Sequence, residues 1–387
     1  MKLNLDRFNL GVMFLMVVYT SLSVFVISIS PLLRYIFPFL MVILIPLNIL
    51  HYSKNKRNWF LFYFIILIYM IISLMDQKII SSLLGVYVFI TIFFSASIKY
   101  EILLKFLSAK FFWVLIFLCN YIGLFYVDSF GSIFQGVEYE TFGSTKNISK
   151  DWTASGVNRN PGFTESSITV AALLLISGTL FLGEFIKKIN LLNIIIFIII
   201  FGLMLHGLFL STTKTMIATA IIVLLIFFIK NKFKFIVLQI LTFFYLPISY
   251  YYLFFGEKDY LGNNTLFIRF YETWPDSFKL LNSLLDKTFG SGFGSIGSPL
   301  MLKGSSAYPA DNFLVYLYIN FGVVSLIFAV YFLLNILKIK KIYWNDNFLL
   351  IYVILLMGCL TYNIVELPIY SIFLGAILLS FFKKYNN

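Results

Sequence analysis

The chain has 387 residues, of which 60% are hydrophobic and only 12% charged, with a mean hydropathy of +0.93. A soluble domain carries roughly a quarter charged residues, so a soluble fold is excluded. The net charge of +12 does not point to nucleic acid, because Lys and Arg fall in short clusters between apolar segments rather than along one face.

A window of about 19 residues places apolar spans near 8–28, 32–50, 59–75, 79–97, 111–127, 165–185, 190–209, 212–229, 235–254, 312–335, 348–365 and 368–382. This predicts an all-α, polytopic membrane bundle of about twelve transmembrane helices, forming one integral membrane domain over the whole chain. The first segment, behind Lys2 and Arg7, reads as a retained helix because no small-residue cleavage site follows it. Cys119 and Cys359 lie inside apolar runs, which offers neither a disulfide framework nor a Cys-ligated metal.

Basic residues set the orientation. With Lys2 and Arg7 cytoplasmic, six further clusters fall on that side: Lys54/Lys56/Arg57, Lys99/Lys105/Lys110, Lys187/Lys188, Lys230/Lys232/Lys234, Lys338/Lys340/Lys341 and Lys383/Lys384. The opposite short connections hold only Arg34, Lys78 and Lys214. Both termini are therefore expected in the cytoplasm. Two long segments, about 128–164 and 255–311, fall outside, well beyond the usual connection of about 4–6 residues. Their aromatic content predicts that they fold onto the bundle.

The first long loop ends Asn158-Arg159-Asn160-Pro161-Gly162-Phe163-Thr164-Glu165. Its turn is expected to bring Arg159 and Glu165 together at the outer face, where Arg forks across a phosphate or carboxylate; the alternative is an interfacial Arg snorkelling to water. Ser211-Thr212-Thr213-Lys214 joins two spans on the same side and suits a phosphate or sugar, or else caps helix ends. Over 264–286, Leu266, Phe267, Phe270, Trp274, Phe278, Leu281 and Leu285 recur at helical spacing, predicting an interfacial amphipathic helix kinked at Pro275, with Arg269 beside its apolar face. The Gly-rich run 289–297 reads as a flexible loop, without the strand and helix a nucleotide site requires. Asp311 opens the next span as an expected N-cap or as a base at the membrane mouth, with Asn312 beside it. His51 is expected in the cytoplasm and His206 is a lone intramembrane His, expected to be hydrogen-bonded in packing; metal ligation has no support.

Arg159-x-x-Gly162-Phe163, the Ser211–Lys214 hairpin, Arg269 with Trp274, the Gly290-x-Gly-Phe-Gly294 run and Asp311-Asn-Phe-Leu314, in that order, resemble the O-antigen ligase and polymerase superfamily over residues 155–335. The resemblance implies a metal-independent and cofactor-free glycosyltransferase at the outer face of a bacterial plasma membrane, acting on polyprenyl-diphosphate-linked oligosaccharide. A chain-length regulator, a flippase and membrane lipid are the implied partners, with no nucleic acid. Family ligases place a His before the Asn where this chain has Asp311, and commonly an Arg where it has Lys214, so the departure favours a Wzy-type polymerase of O-antigen or capsular repeat units. A ligase, and a flippase or exporter of the same lipid-linked sugars, are the alternatives. By the same resemblance Arg159, Asp311 and Glu165 are the catalytic candidates. Lys214, Arg269, Ser211, Thr212, Thr213, Trp274 and Asn312 are then the groups expected to hold diphosphate or sugar.

Overall fold

The computed structural model describes residues 4–53, 56–76, 79–141, 144–149, 152–154, 157–185, 190–229, 231–255, 265–299, 311–338 and 346–383. They are mostly helical: α1 (Leu5–Ser21), α2 (Ser23–Ile29), α3 (Ile36–Tyr52), α4 (Lys56–Asp76), α5 (Ile79–Ser97), α6 (Tyr100–Leu107) and α7 (Lys110–Phe130) precede the first long loop. That loop carries two antiparallel hairpins, β1 (Glu138–Thr141) with β2 (Ser144–Asn147) and β3 (Trp152–Ala154) with β4 (Val157–Arg159). Next come α8 (Ser167–Phe185), α9 (Leu191–Leu210), α10 (Lys214–Phe228), α11 (Asn231–Ser249) and α12 (Tyr251–Phe255). The second long loop holds α13 (Thr265–Ile268), α14 (Trp274–Phe278) and α15 (Leu284–Phe289), and the chain closes with α16 (Phe313–Phe321), α17 (Val323–Lys338), α18 (Asp346–Thr361) and α19 (Pro368–Lys383).

Two helices are apolar on every side and sit at the centre. In α8 every residue from Val170 to Ile176 is fully buried, and in α18 the run Leu349–Leu356 is buried throughout. A helix without a polar face belongs inside a bundle or a bilayer. The outer helices instead turn apolar side chains outward, as α9 does with Ile194, Ile195, Ile198 and Ile199. Among the described residues four helices are long and apolar enough to cross a membrane, and a fifth span arises if α1 and α2 count as one despite an 87° bend between them. Five further apolar helices are 10–17 residues long.

Helix boundaries follow the predicted spans closely, but three expectations change. The first span breaks at Leu22, and the span expected over 312–335 is split at Gly322, whose positive φ and close approach to the Thr288 carbonyl admit no side chain. The amphipathic helix expected over 264–286 is shorter and interrupted. A π-helical turn runs Arg269–Thr273, Pro275 opens α14 instead of kinking a helix, and Leu285 is exposed while Trp274, Phe278 and Leu281 are buried. Asn264 lies outside the described residues.

The Gly-rich run is a buried plug rather than a flexible loop. Ser291 and Gly292 donate backbone hydrogen bonds to the carbonyls of Ile319 and Asn320 at 3.0 Å, and Ser73 Oγ donates to the Phe293 carbonyl. Gly294, at φ +82°, lies so close to the Ser81 carbonyl that a Cβ would collide with it. The chain threads backbone against backbone between α4, α5 and α16, and glycine alone allows that approach.

The basic ends of the first helices meet at one end of the bundle. Lys99 Nζ lies 3.6 Å from Asp6 Oδ2 and 4.6 Å from the centre of the Tyr52 ring. This pairing joins α1, α3 and the connection after α5 at the end the charge pattern assigns to the cytoplasm.

Candidate functional site

The candidate residues lie at the opposite ends of the helices. The Arg159–Glu165 turn is built from its own side chains. Asn160 Nδ2 donates to the Leu124 carbonyl at 2.8 Å while its Oδ1 accepts from Gly162 N at 2.8 Å, and Thr164 Oγ1 donates to the Pro161 carbonyl at 2.9 Å. This Asx-type turn staples β4 to α7. Ser23 Oγ accepts from Glu165 N at 3.1 Å, so the same turn also docks on the break between α1 and α2.

Arg159 and Glu165 do not pair. Glu165 Oε2 lies 3.0 Å from Arg34 Nη2, and Arg34 Nη1 donates to the Tyr139 hydroxyl at 2.8 Å. The turn sends neighbouring side chains to different partners, and Arg34, on the 3₁₀ turn Pro31–Tyr35, is the cation that reaches Glu165. Glu165 is thereby a structural partner of Arg34, and Arg159 is left without an ion pair among the described residues.

A second Arg–carboxylate pair joins the two ends of the second long loop. Arg269 Nε donates to Asp311 Oδ2 at 2.9 Å, with side-chain exposures of 18% and 30%. The bond uses Nε alone, which leaves the two terminal nitrogens of the guanidinium without a protein partner among the described residues. Its carbon stands 5.8 Å from the centre of the Tyr362 ring, a cation–π distance. The Tyr362 hydroxyl in turn lies within electrostatic reach of Arg159, Arg269 and Asp311. Arg269 and Asp311 thus pair beside Tyr362, with Arg159 near enough to act on the same tyrosine electrostatically.

Asp311 is not the helix cap. Asn312 caps α16, its Oδ1 accepting from Leu314 N at 2.9 Å and Val315 N at 3.2 Å, while its Nδ2 donates to Ser249 Oγ at 3.0 Å. Asn312 is fully buried and its amide is spent on structure. Because the neighbour takes the cap, the Asp311 carboxylate is released toward Arg269.

In the Ser211–Lys214 turn the buried hydroxyls of Ser211 and Thr213 bond each other at 2.7 Å, and Ser211 Oγ also contacts the Leu208 carbonyl at 2.7 Å. Thr212 takes φ 55°, the one left-handed non-glycine among the described residues, to close the hairpin. These three hydroxyls shape the turn. Lys214 is exposed and opens α10, where the positive end of the helix dipole disfavours a cation. Trp274 is buried with its indole N–H unpartnered. His206, exposed on α9, bonds the Tyr121 hydroxyl at 3.1 Å.

Sequence reasoning missed Tyr362 and Arg34. Tyr362 closes an apolar stretch that reads as one span through residue 365, but the polar residues Asn363 and Glu366 before Pro368 do mark a break there.

Among the described residues no group of three or more His, Cys, Asp or Glu converges as a metal cage would require. No family model, no curated protein and no solved structure matches this chain.

Proposed function

We propose that this chain is an oligosaccharide repeat-unit polymerase, joining polyprenyl-diphosphate-linked units of an O-antigen or capsular polysaccharide at the outer face of a bacterial plasma membrane. In this reading the chain crosses the membrane about twelve times with both termini cytoplasmic. The observation that carries it is the Arg269–Asp311 pair beside Tyr362, within electrostatic reach of Arg159, at the end of the bundle remote from the Lys99–Asp6 pair. Two cations drawn from different loops, one without a carboxylate partner and one with its guanidinium fork open among the described residues, suit a bound diphosphate.

The reaction that fits is an inverting displacement. A hydroxyl of one lipid-linked unit attacks the anomeric carbon of the chain on a second carrier. The new glycosidic C–O bond forms as the bond to the diphosphate oxygen breaks, and the electron pair leaves with polyprenyl diphosphate. Arg159, Arg269 and Lys214 stabilise the charge that grows on that leaving group, an effect strongest where water is partly excluded. Asp311 accepts the hydroxyl proton or orients the hydroxyl while its pairing with Arg269 fixes the guanidinium. Glu165, held by Arg34, takes no part.

The test is Arg159→Ala in the producing cell. Single repeat units should still reach the outer surface while long polysaccharide disappears from a glycan gel; an unchanged chain-length ladder overturns the reading. Deletion of the whole chain separates the alternatives. Long polymer stranded on the carrier marks a ligase, and single units trapped in the cytoplasm mark a flippase.

A further inference from the structure

Near the cationic cluster lies a polar cluster of opposite character. Glu366, in the 3₁₀ turn Ile364–Glu366 between α18 and α19, accepts from Ser298 N at 2.9 Å and from Asn363 Nδ2 at 3.0 Å on Oε1, and from the Ser298 hydroxyl on Oε2. Among the described residues no Lys or Arg pairs with it. The three donors are neutral, and Oε2 keeps a lone pair for one more.

Two further polar atoms nearby have no hydrogen-bond partner among the described residues. The Tyr316 hydroxyl, on a side chain at 0% exposure, approaches the Asn363 amide but not at hydrogen-bonding geometry, and Asn363 Oδ1 is likewise buried and unpartnered. Buried polar groups left unbonded are costly, and a native structure usually keeps them for a ligand or a bound water. Gly297, at φ +81°, lies against the carboxylate: a Cβ there would strike Glu366 Oε1 and close against the Tyr316 ring. The last glycine of the plug is what lets the Glu366 carboxylate pack this close. Asn363 follows Tyr362, whose ring centre stands 5.8 Å from the Arg269 guanidinium carbon.

We infer that Glu366, Tyr316 and Asn363 form a subsite for an uncharged saccharide, gripping sugar hydroxyls beside the diphosphate-binding cations; this rests on the polymerase reading. A carboxylate without a counter-cation repels phosphate and accepts from sugar hydroxyls, while an amide oxygen and a phenol supply the complementary acceptor and donor. The juxtaposition sorts the two halves of a glycosyl diphosphate, anion toward Arg159 and Arg269, sugar toward Glu366. Glu366 and Ser298 are part-exposed, which leaves the cluster an open side.

The experiment uses the full chain in lipid nanodiscs with two probes: inorganic pyrophosphate, followed by calorimetry, and a set of hexose and N-acetylhexosamine disaccharides, followed by saturation-transfer NMR. Tyr316→Phe removes a hydroxyl that bonds nothing, so it should melt at or above the parent temperature and still cut the sugar signal at least fivefold. Glu366→Gln should do the same to the sugar signal and leave the pyrophosphate affinity within twofold of the parent, whereas Arg269→Ala should weaken pyrophosphate and spare the sugar. A sugar signal unchanged in both Tyr316→Phe and Glu366→Gln overturns the subsite, as does a parent that binds pyrophosphate but no sugar. A parent that binds sugar through Tyr316 and Glu366 but no pyrophosphate supports the subsite and overturns the diphosphate reading instead.

Discussion

The two Arg–carboxylate pairs at this end of the bundle are alike in length and differ in what surrounds them. Arg34 spends Nη2 on Glu165 and Nη1 on the Tyr139 hydroxyl, and the rings of Tyr19 and Tyr87 lie within its electrostatic reach. The result ties the α1–α2 break, the β1–β2 hairpin and the turn before α8 into one clasp. Among the described residues Arg269 gives only Nε, to Asp311, and its guanidinium carbon stands 5.8 Å from the centre of the Tyr362 ring. A guanidinium whose fork is consumed by the protein is architecture, and one whose fork is open can take a ligand. Counting ion pairs would not separate them; the distribution of donors does.

That contrast fails if substitutions at the two arginines have the same consequences. Arg269→Ala should show the largest effect, a loss of polymer synthesis of about hundredfold or more, as for removal of a donor that meets transition-state charge. Its thermal stability in detergent should stay near that of the parent. Arg269→Lys should not recover activity, because an ammonium cannot hold Asp311 and a phosphate in one planar fork. A variant that loses stability in step with activity would place this pair in the architecture too.

Arg34→Ala should do the reverse. Leaving Glu165 and the Tyr139 hydroxyl partly buried and unpaired costs about 2 kcal/mol, less than for a fully buried pair because both partners touch solvent. The loss should appear as a lower denaturant midpoint. Exchanging the pair, Arg34→Glu with Glu165→Arg, should restore part of that stability in a double-mutant cycle. The equivalent exchange at Arg269 and Asp311 should leave activity absent, since it moves the open fork away from Tyr362.

Much of this arrangement was legible in the sequence, and the boundary of what was legible has a physical cause. Hydropathy located the helices because a membrane segment must satisfy its backbone internally. Arg159, Arg269 and Asp311 stood out as polar residues in the two long connections, and Lys214 in a short hairpin among hydroxyls. Pairing was not legible. The turn at Pro161 suggested Arg159 with Glu165, yet Arg34 lies more than a hundred residues upstream and only tertiary packing brings it there. Asp311 and Asn312 are both good caps, and the choice between them depends on Ser249, which holds the Asn312 amide. The Gly-rich run has the composition of a flexible loop, and its role emerged only from the backbones of Ser73, Ser81 and Asn320 on which it packs.

The smallest effect concerns the edge of the clasp. Tyr139, buried on β1, has its hydroxyl pKa raised, chiefly by desolvation, with Arg34 pulling in the other direction. A group whose folded pKa lies above its unfolded value binds its proton more tightly in the folded protein. Its contribution is complete below the unfolded value, about 10 for a tyrosine, and falls away as pH rises through the folded value. The clasp should therefore hold across neutral pH and loosen only in alkali above about pH 10, seen as faster amide exchange in the β1–β2 hairpin. Tyr139→Phe should remove that component of the alkaline response and cost about 1.5 kcal/mol at pH 7, the low end for one hydrogen bond from a charged donor after solvation. If the exchange of this hairpin rises with pH equally in Tyr139→Phe and in the parent, beyond the intrinsic base catalysis of exchange, the hydroxyl is not part of the clasp and Arg34 holds the loop through Glu165 alone.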